Sequence, residues 1–216
     1  MILQILRFGD EMNIWFYVSI VGEIAILPLY FKSLEHTKLD KRYGKEKGKK
    51  IGTIYGMISG WCFFIFWFGI WISPQPRFTI PFLQPLILIP IVSFSIPLLN
   101  LCIFIPFTII AFWLGITGVK GTTLETSETH RAKTIVIDGI YSIIRHPQYL
   151  GGLFGHIGIT FLLSALYSLI CLPLMVIIVY IISKKEEKEL IKEFGVIYEN
   201  YKNDVPMFIP RLKRNK

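Results

Sequence analysis

Between Phe78 and Val119 the chain runs for 42 residues without one charged side chain. A helix needs roughly 20 apolar residues to cross the hydrocarbon of a bilayer, so this stretch alone places the chain in a membrane. The composition agrees. Of 216 residues, 53% are hydrophobic and 18% charged, with a mean hydropathy of +0.54, whereas a soluble domain carries about 25% charge. A soluble enzyme, a disordered chain and a nucleic-acid reader are excluded. The net charge of +8 then reports orientation in the bilayer rather than a nucleic-acid partner.

Apolar segments at about 13–31, 51–72, 147–164 and 166–183 flank that stretch. Basic residues cluster between them: 21 of the 23 lie in 32–50, 120–145 and 184–216. The positive-inside rule puts these three segments on the cytoplasmic face and leaves the Ser73–Arg77 turn and the N-terminus outside. Residues 78–119 must then cross an odd number of times, although as one helix they would reach roughly 63 Å. The expectation is a single span over about 92–118, preceded by a broken or interfacial segment interrupted by Pro81, Pro85, Pro90 and Pro97. The fold class expected is all-α: a polytopic membrane bundle of about five transmembrane helices, with a C-terminal helical hairpin and an amphipathic cytoplasmic tail. Residues 1–119 form the N-terminal transmembrane part and 120–216 the region that carries chemistry. Cys62, Cys102 and Cys171 lie in apolar segments without metal-ligand spacing, so neither a disulfide framework nor a metal site is expected. Glu23, in the middle of the first span, reads either as a functional acid or as a protonated, helix-bonded structural one.

The polar chemistry gathers in three places. Asp138-Gly139 is a turn signal, and Pro147 suits the first turn of a helix. Arg145 and His146 thus stand at a helix N-terminus, where free N–H groups and two cationic side chains suit a carboxylate or phosphate. Arg145 alone fits equally an interfacial arginine reaching for headgroups. Gly151 and Gly155 share a helix face, which in a membrane most often serves close packing, and His156 reads as hydrogen-bonded to a neighbouring helix. Glu186 and Glu187 are adjacent, hence about 100° apart around a helix, and take separate jobs; one is placed to hold an ammonium group or ribose hydroxyls. Leu190, Ile191, Phe194, Tyr198 and Tyr201 recur at helical steps and predict an amphipathic tail ended by Val205-Pro206 and Ile209-Pro210.

The set Gly139-Ile140-Tyr141, Arg145-His146-Pro147-Gln148-Tyr149-Leu150-Gly151, Glu186-Glu187, Phe194-Gly195-x-x-Tyr198-x-x-Tyr201 and Val205-Pro206-x-x-Ile209-Pro210 resembles the integral-membrane methyltransferases typified by isoprenylcysteine carboxyl methyltransferase, with the phospholipid N-methyltransferases as relatives. The resemblance implies S-adenosylmethionine (SAM) as cofactor, held at the cytoplasmic end of the last helices by Lys133, Thr134, Ile135, Val136, Tyr141, His146, Pro147, Gln148, Tyr149, Glu186 and Glu187. Arg145 is the candidate for orienting the acceptor. The implied partners are membrane lipids and a lipophilic methyl acceptor, first the carboxylate of an isoprenylcysteine-like molecule and alternatively the amine of a phospholipid. Two departures stand out: Lys133 replaces a histidine common in the family, and Ile182 stands where the carboxyl methyltransferases carry an arginine. An NADPH-dependent membrane reductase of similar C-terminal architecture is the alternative enzyme, and a non-catalytic scaffold is the alternative to an enzyme.

Overall fold

The computed structural model describes residues 14–80, 86–89, 94–122 and 134–211. Pro81, Pro85, Pro90 and Lys133 lie outside the described residues. The elements are α1 (Ile14–Leu34), α2 (His36–Tyr43), α3 (Lys45–Ile72), β1 (Leu86–Ile89), β2 (Phe94–Pro97), α4 (Leu98–Thr122), a 3-10 turn (Gly139–Ser142), α5 (Pro147–Leu163), α6 (Leu166–Phe194) and α7 (Val196–Asp204).

The helices come from long runs without turn residues, and the breaks fall where the chain demands them. Gly44, at φ +79°, separates α2 from α3, and Gly195, at φ +57°, separates α6 from α7; both conformations suit glycine because it has no Cβ. The expected amphipathic tail is therefore not one helix, since α6 continues unbroken from its apolar run into the polar residues up to Phe194. The tail pattern nonetheless folds as predicted on one face: Tyr198, Tyr201 and Val205 bury together against Leu190, Ile191, Phe194 and Ile135.

Among the described residues four helices, α1, α3, α4 and α6, are long and apolar enough to cross a bilayer. Four of the five expected spans reach that length. The fifth, α5, has 17 residues and rises about 25 Å against a roughly 30 Å hydrocarbon core, yet it runs from the polar end to the Ser164 turn at the opposite end, where α6 begins. It packs tightly on α4. A Cβ on Gly151 would come 3.0 Å from the Ala111 carbonyl oxygen, and one on Gly158 2.8 Å from Thr108, so the glycine face serves close packing. The uncharged stretch is also corrected in detail. Its single helix begins at Leu98 rather than near Val92, and before it β1 and β2 pair antiparallel, Leu86 opposite Pro97 and Ile89 opposite Phe94. Pro97 closes the ladder because it has no N–H to extend one.

Two antiparallel pairs, α1–α3 and α4–α5, flank α6. The main core joins Phe16 and Tyr30 of α1, Phe63 and Trp67 of α3, Leu153 of α5 and Met175, Ile178 and Ile182 of α6. Glu23 is fully buried, with no hydrogen-bond partner for either carboxylate oxygen. At one end of the bundle, the Phe78 N–H donates to the Ser164 carbonyl, the Leu166 N–H donates to Pro76, and the Asn100 amide donates to Phe161 and Ser164. The polar segments 35–44, 134–146 and 184–208 meet at the other end.

Candidate active site

At the polar end the chain from Gly139 to Pro147 turns sharply, and the tail seals it. Gly139 sits at φ +59° and opens the 3-10 turn. The next residues then pair with the tail through their backbone: the Arg145 N–H donates to the Pro206 carbonyl at 3.0 Å and the His146 N–H to Met207 at 3.2 Å. The Tyr201 hydroxyl donates to the Tyr141 carbonyl at 2.7 Å. His146 is the residue before α5, and Pro147 takes the first helical position as the sequence predicts.

The adjacent glutamates diverge. Glu187 is fully buried. Its Oε1 accepts from Arg145 Nε at 2.8 Å and lies 2.6 Å from Arg145 Nη2 and 3.2 Å from His146 Nε2, while Lys202 Nζ stands 3.5 Å from Oε2. Arg145 Nη1 donates to the carbonyls of Lys202 and Val205. The guanidinium is therefore spent on holding the tail, and buried charge of this kind persists only when so paired. Arg145, expected to orient an acceptor, ties α7 to α6 through these contacts.

Glu186, one residue earlier, is about 30% exposed at its side chain and lies 3.7 Å from His146 Nδ1. That contact is with its Oε2, which is buried and makes no closer hydrogen bond among the described residues. His146 thus stands between the two carboxylates. The Tyr149 ring stacks on it at 5.5 Å, Phe208 of the tail covers another side, and the Tyr149 hydroxyl meets that of Tyr30 at 3.0 Å. Gln148 faces α4, donating to Thr122 at 2.9 Å and to the Tyr141 hydroxyl at 3.2 Å; that hydroxyl donates to the Gly118 carbonyl. Burial raises the Tyr141 phenol above its ordinary value, so it stays a hydrogen-bond donor.

The structure thus brings together Tyr141, His146, Pro147, Gln148, Tyr149, Glu186 and Glu187. Ile135 and Val136 pack beside them, Ile135 against the tail cluster and Val136 against Tyr141 and Ile140, while Thr134 is exposed. Sequence reasoning missed Tyr30, Thr122 and the tail carbonyls. An aromatic in an apolar span carries no mark that separates it from core, and a backbone carbonyl leaves no mark at all.

The phospholipid methyltransferase family matches residues 96–197. Methyltransferases of this family use SAM. Among curated proteins, the chain is 36% identical over 86 residues to a methanethiol S-methyltransferase of Pseudomonas deceptionensis, covering 35% of this chain and 28% of that one. It is 33% identical over 96 residues to the protein-S-isoprenylcysteine O-methyltransferase of Schizosaccharomyces pombe, covering 43% and 40%. The Xenopus laevis protein of the same name is 35% identical over 97 residues, covering 41% and 30%. The chain therefore spans well under half the length of these relatives. No solved structure matches it. The matched stretch takes in the motif residues from Gly139 to Gly195 and both glutamates but not Tyr30, Tyr198, Tyr201 or the tail carbonyls, so the candidate site extends beyond it at both ends.

Proposed function

We propose that the chain is an integral-membrane SAM-dependent methyltransferase acting on a lipophilic acceptor, with its site at the polar, cytoplasmic end, the N-terminus outside and the C-terminus inside. The observation that supports the reading is the Glu186 Oε2 oxygen, buried with no hydrogen bond among the described residues and only a 3.7 Å approach from His146 Nδ1, among the residues that the family resemblance ties to the cofactor. An unsatisfied buried acceptor costs about 1–3 kcal/mol, more when charged, and a ligand's donors would relieve it. The donor set fits SAM, which has an ammonium, ribose hydroxyls, a carboxylate and an adenine ring.

When bound, SAM supplies an electrophilic methyl group on a sulfonium. Glu186 would hold the ammonium or the ribose hydroxyls rather than the sulfur. A carboxylate against the sulfonium would favour the charged ground state over the transition state, where that charge is fading. His146, Tyr141, Gln148 and Tyr149 would line the pocket, with the backbone of Thr134–Val136 and the first turn of α5 beside them. Glu187 acts one step removed: it fixes His146 and, through Arg145, keeps the tail closed. The tail aromatics exclude water, and alignment of this kind is worth about 7–11 kcal/mol in favourable cases.

The acceptor assigned first is the carboxylate of an isoprenylcysteine-like molecule, already ionised at neutral pH and needing no general base. The likeness to a methanethiol S-methyltransferase favours a thiol as the second reading, and a phospholipid amine is the third. Transfer of label from methyl-labelled SAM to a farnesylcysteine, an alkyl thiol and a phosphatidylethanolamine, each offered to the purified protein in nanodiscs, decides among them. Absence of transfer to all three, together with no calorimetric SAM binding, refutes the methyltransferase reading.

A further inference from the structure

Helix α1 reaches the candidate site through Tyr30, which lies outside the matched stretch 96–197. Tyr30 sits near the polar end of α1, buried, with its ring tilted against Phe63 at 6.1 Å. The serine hydroxyls of that helix are spent within it: Ser19 donates to the Trp15 carbonyl and Ser33 to that of Tyr30. The Tyr30 hydroxyl instead crosses to α5 and meets that of Tyr149 at 3.0 Å. Phenylalanine would fill the same space against Phe63, so the hydroxyl is what tyrosine adds to the packing.

What Tyr149 touches gives that hydroxyl its meaning. The Tyr149 ring stacks on His146, with centroids 5.5 Å apart and planes 23° from parallel. Its hydroxyl faces the Glu186 carboxylate, which acts on it through a hydrogen bond and through charge, and the same charge reaches the Tyr30 hydroxyl. A carboxylate only accepts. Tyr149 therefore donates to Glu186, and its oxygen is left to accept from Tyr30. Tyr30, Tyr149 and Glu186 form a chain of donors running one way, in which each bond polarises the next.

The same end of α1 is fastened beside Glu186 by a second contact. Glu35 accepts from Lys185, the residue before Glu186, at 2.8 Å. One contact through α5 and one made directly on α6 thus tie α1 to the surroundings of a single carboxylate.

We propose that Tyr30 is a positioning residue of the site: resting on the methyltransferase reading, its hydroxyl holds Tyr149 on His146 and Glu186 and so fixes the carboxylate that takes the ammonium or ribose hydroxyls of SAM. The test is calorimetric SAM titration of the full chain in nanodiscs, with thermal unfolding alongside. Tyr30→Phe should weaken SAM binding about fivefold, the scale of one neutral hydrogen bond, with little change in unfolding temperature. Tyr149→Phe should weaken it at least as much. Adding Tyr30→Phe to Tyr149→Phe should change nothing further, because the chain is already cut. Tyr17→Phe, at an exposed tyrosine of the same helix, should leave binding as it is. Fluorine NMR gives a second readout: the resonance of 3-fluorotyrosine in place of Tyr30 should shift on Glu186→Gln and on addition of SAM.

Unaltered SAM affinity in Tyr30→Phe, or losses that add in the double variant, means a core hydroxyl only and overturns the proposal while the methyltransferase reading stands. Wild-type protein that binds no SAM sinks that reading and this inference with it. The fluorine label keeps the Tyr30 hydroxyl, so a Tyr30→Phe protein that fails to fold leaves the test intact. A resonance indifferent to both Glu186→Gln and SAM then overturns the proposal.

Discussion

Two histidines ten residues apart, His146 just before α5 and His156 within it, live differently. His156, toward the far end, is fully buried and completely bonded: two indoles donate to one nitrogen, and the other nitrogen donates to a carbonyl. That arrangement fixes one neutral tautomer and leaves nothing to offer a ligand. His146, at the polar end, lies between two carboxylates and under a tyrosine ring, and each of those carboxylates keeps one oxygen without a hydrogen bond among the described residues. A polar group with every bond made belongs to the architecture; one that shares an incomplete network is where a ligand enters. The neighbouring glutamates differ in exposure: Glu187 is buried against Arg145, whereas Glu186 is about 30% exposed.

The largest effect expected is on the finished network. Glu187→Ala or Arg145→Ala should destabilise the protein by about 3–5 kcal/mol, because each leaves a buried charge alone. The double variant Arg145→Met with Glu187→Leu should cost clearly less than the sum of the single changes. Thermal unfolding in detergent reads both, and additive losses would mean that the pair is not coupled. Next, His156→Ala should cost about 2–4 kcal/mol by stranding two indole donors, while the SAM dissociation constant stays within about twofold of wild type.

Glu186→Gln inverts that pattern. SAM binding by calorimetry should weaken about tenfold or more, the scale of one charged hydrogen bond, with little change in unfolding temperature. Equal effects of the two variants on binding would erase the contrast between the two ends of α5. The pH profile of methyl transfer sharpens the chemistry. Between pH 6 and 9 the rate should be flat for a carboxylate acceptor and should climb for a thiol, whose ordinary value is about 8.5.

The smallest effect belongs to the rim. Glu35 receives a 2.8 Å bond from Lys185, and this bond, more than the other nearby charges, holds its carboxyl below the ordinary range. Its contribution is present at neutral pH and is lost as pH falls through that lowered value. Partly solvated, the pair should be worth no more than about 1 kcal/mol, which Glu35→Gln would test at pH 7 against pH 3.

Much of this was legible in the residues. Hydropathy and basic clusters predict the bundle and gather three polar segments at one end. The order Arg145-His146-Pro147 predicts a helix start, and adjacency alone separates the roles of Glu186 and Glu187. Other features were hidden for physical reasons. The β1–β2 pairing comes from backbone bonds that proline spacing does not encode. Arg145 offered the same chemistry to an acceptor or to the tail, and only the fold's path for residues 202–207 decides between them.

That path has an evolutionary corollary. The guanidinium of Arg145 grips carbonyl oxygens of Lys202 and Val205, and the strand beside it is held through Pro206 and Met207 by main-chain atoms. Such a latch recognises the route of the chain and is largely blind to its spelling. The exposed positions of the closing segment, such as Asn203 and Asp204, are therefore free to drift across descendants, provided its turns are kept, while the buried Tyr201 and Val205 and the single arginine that grasps it are not.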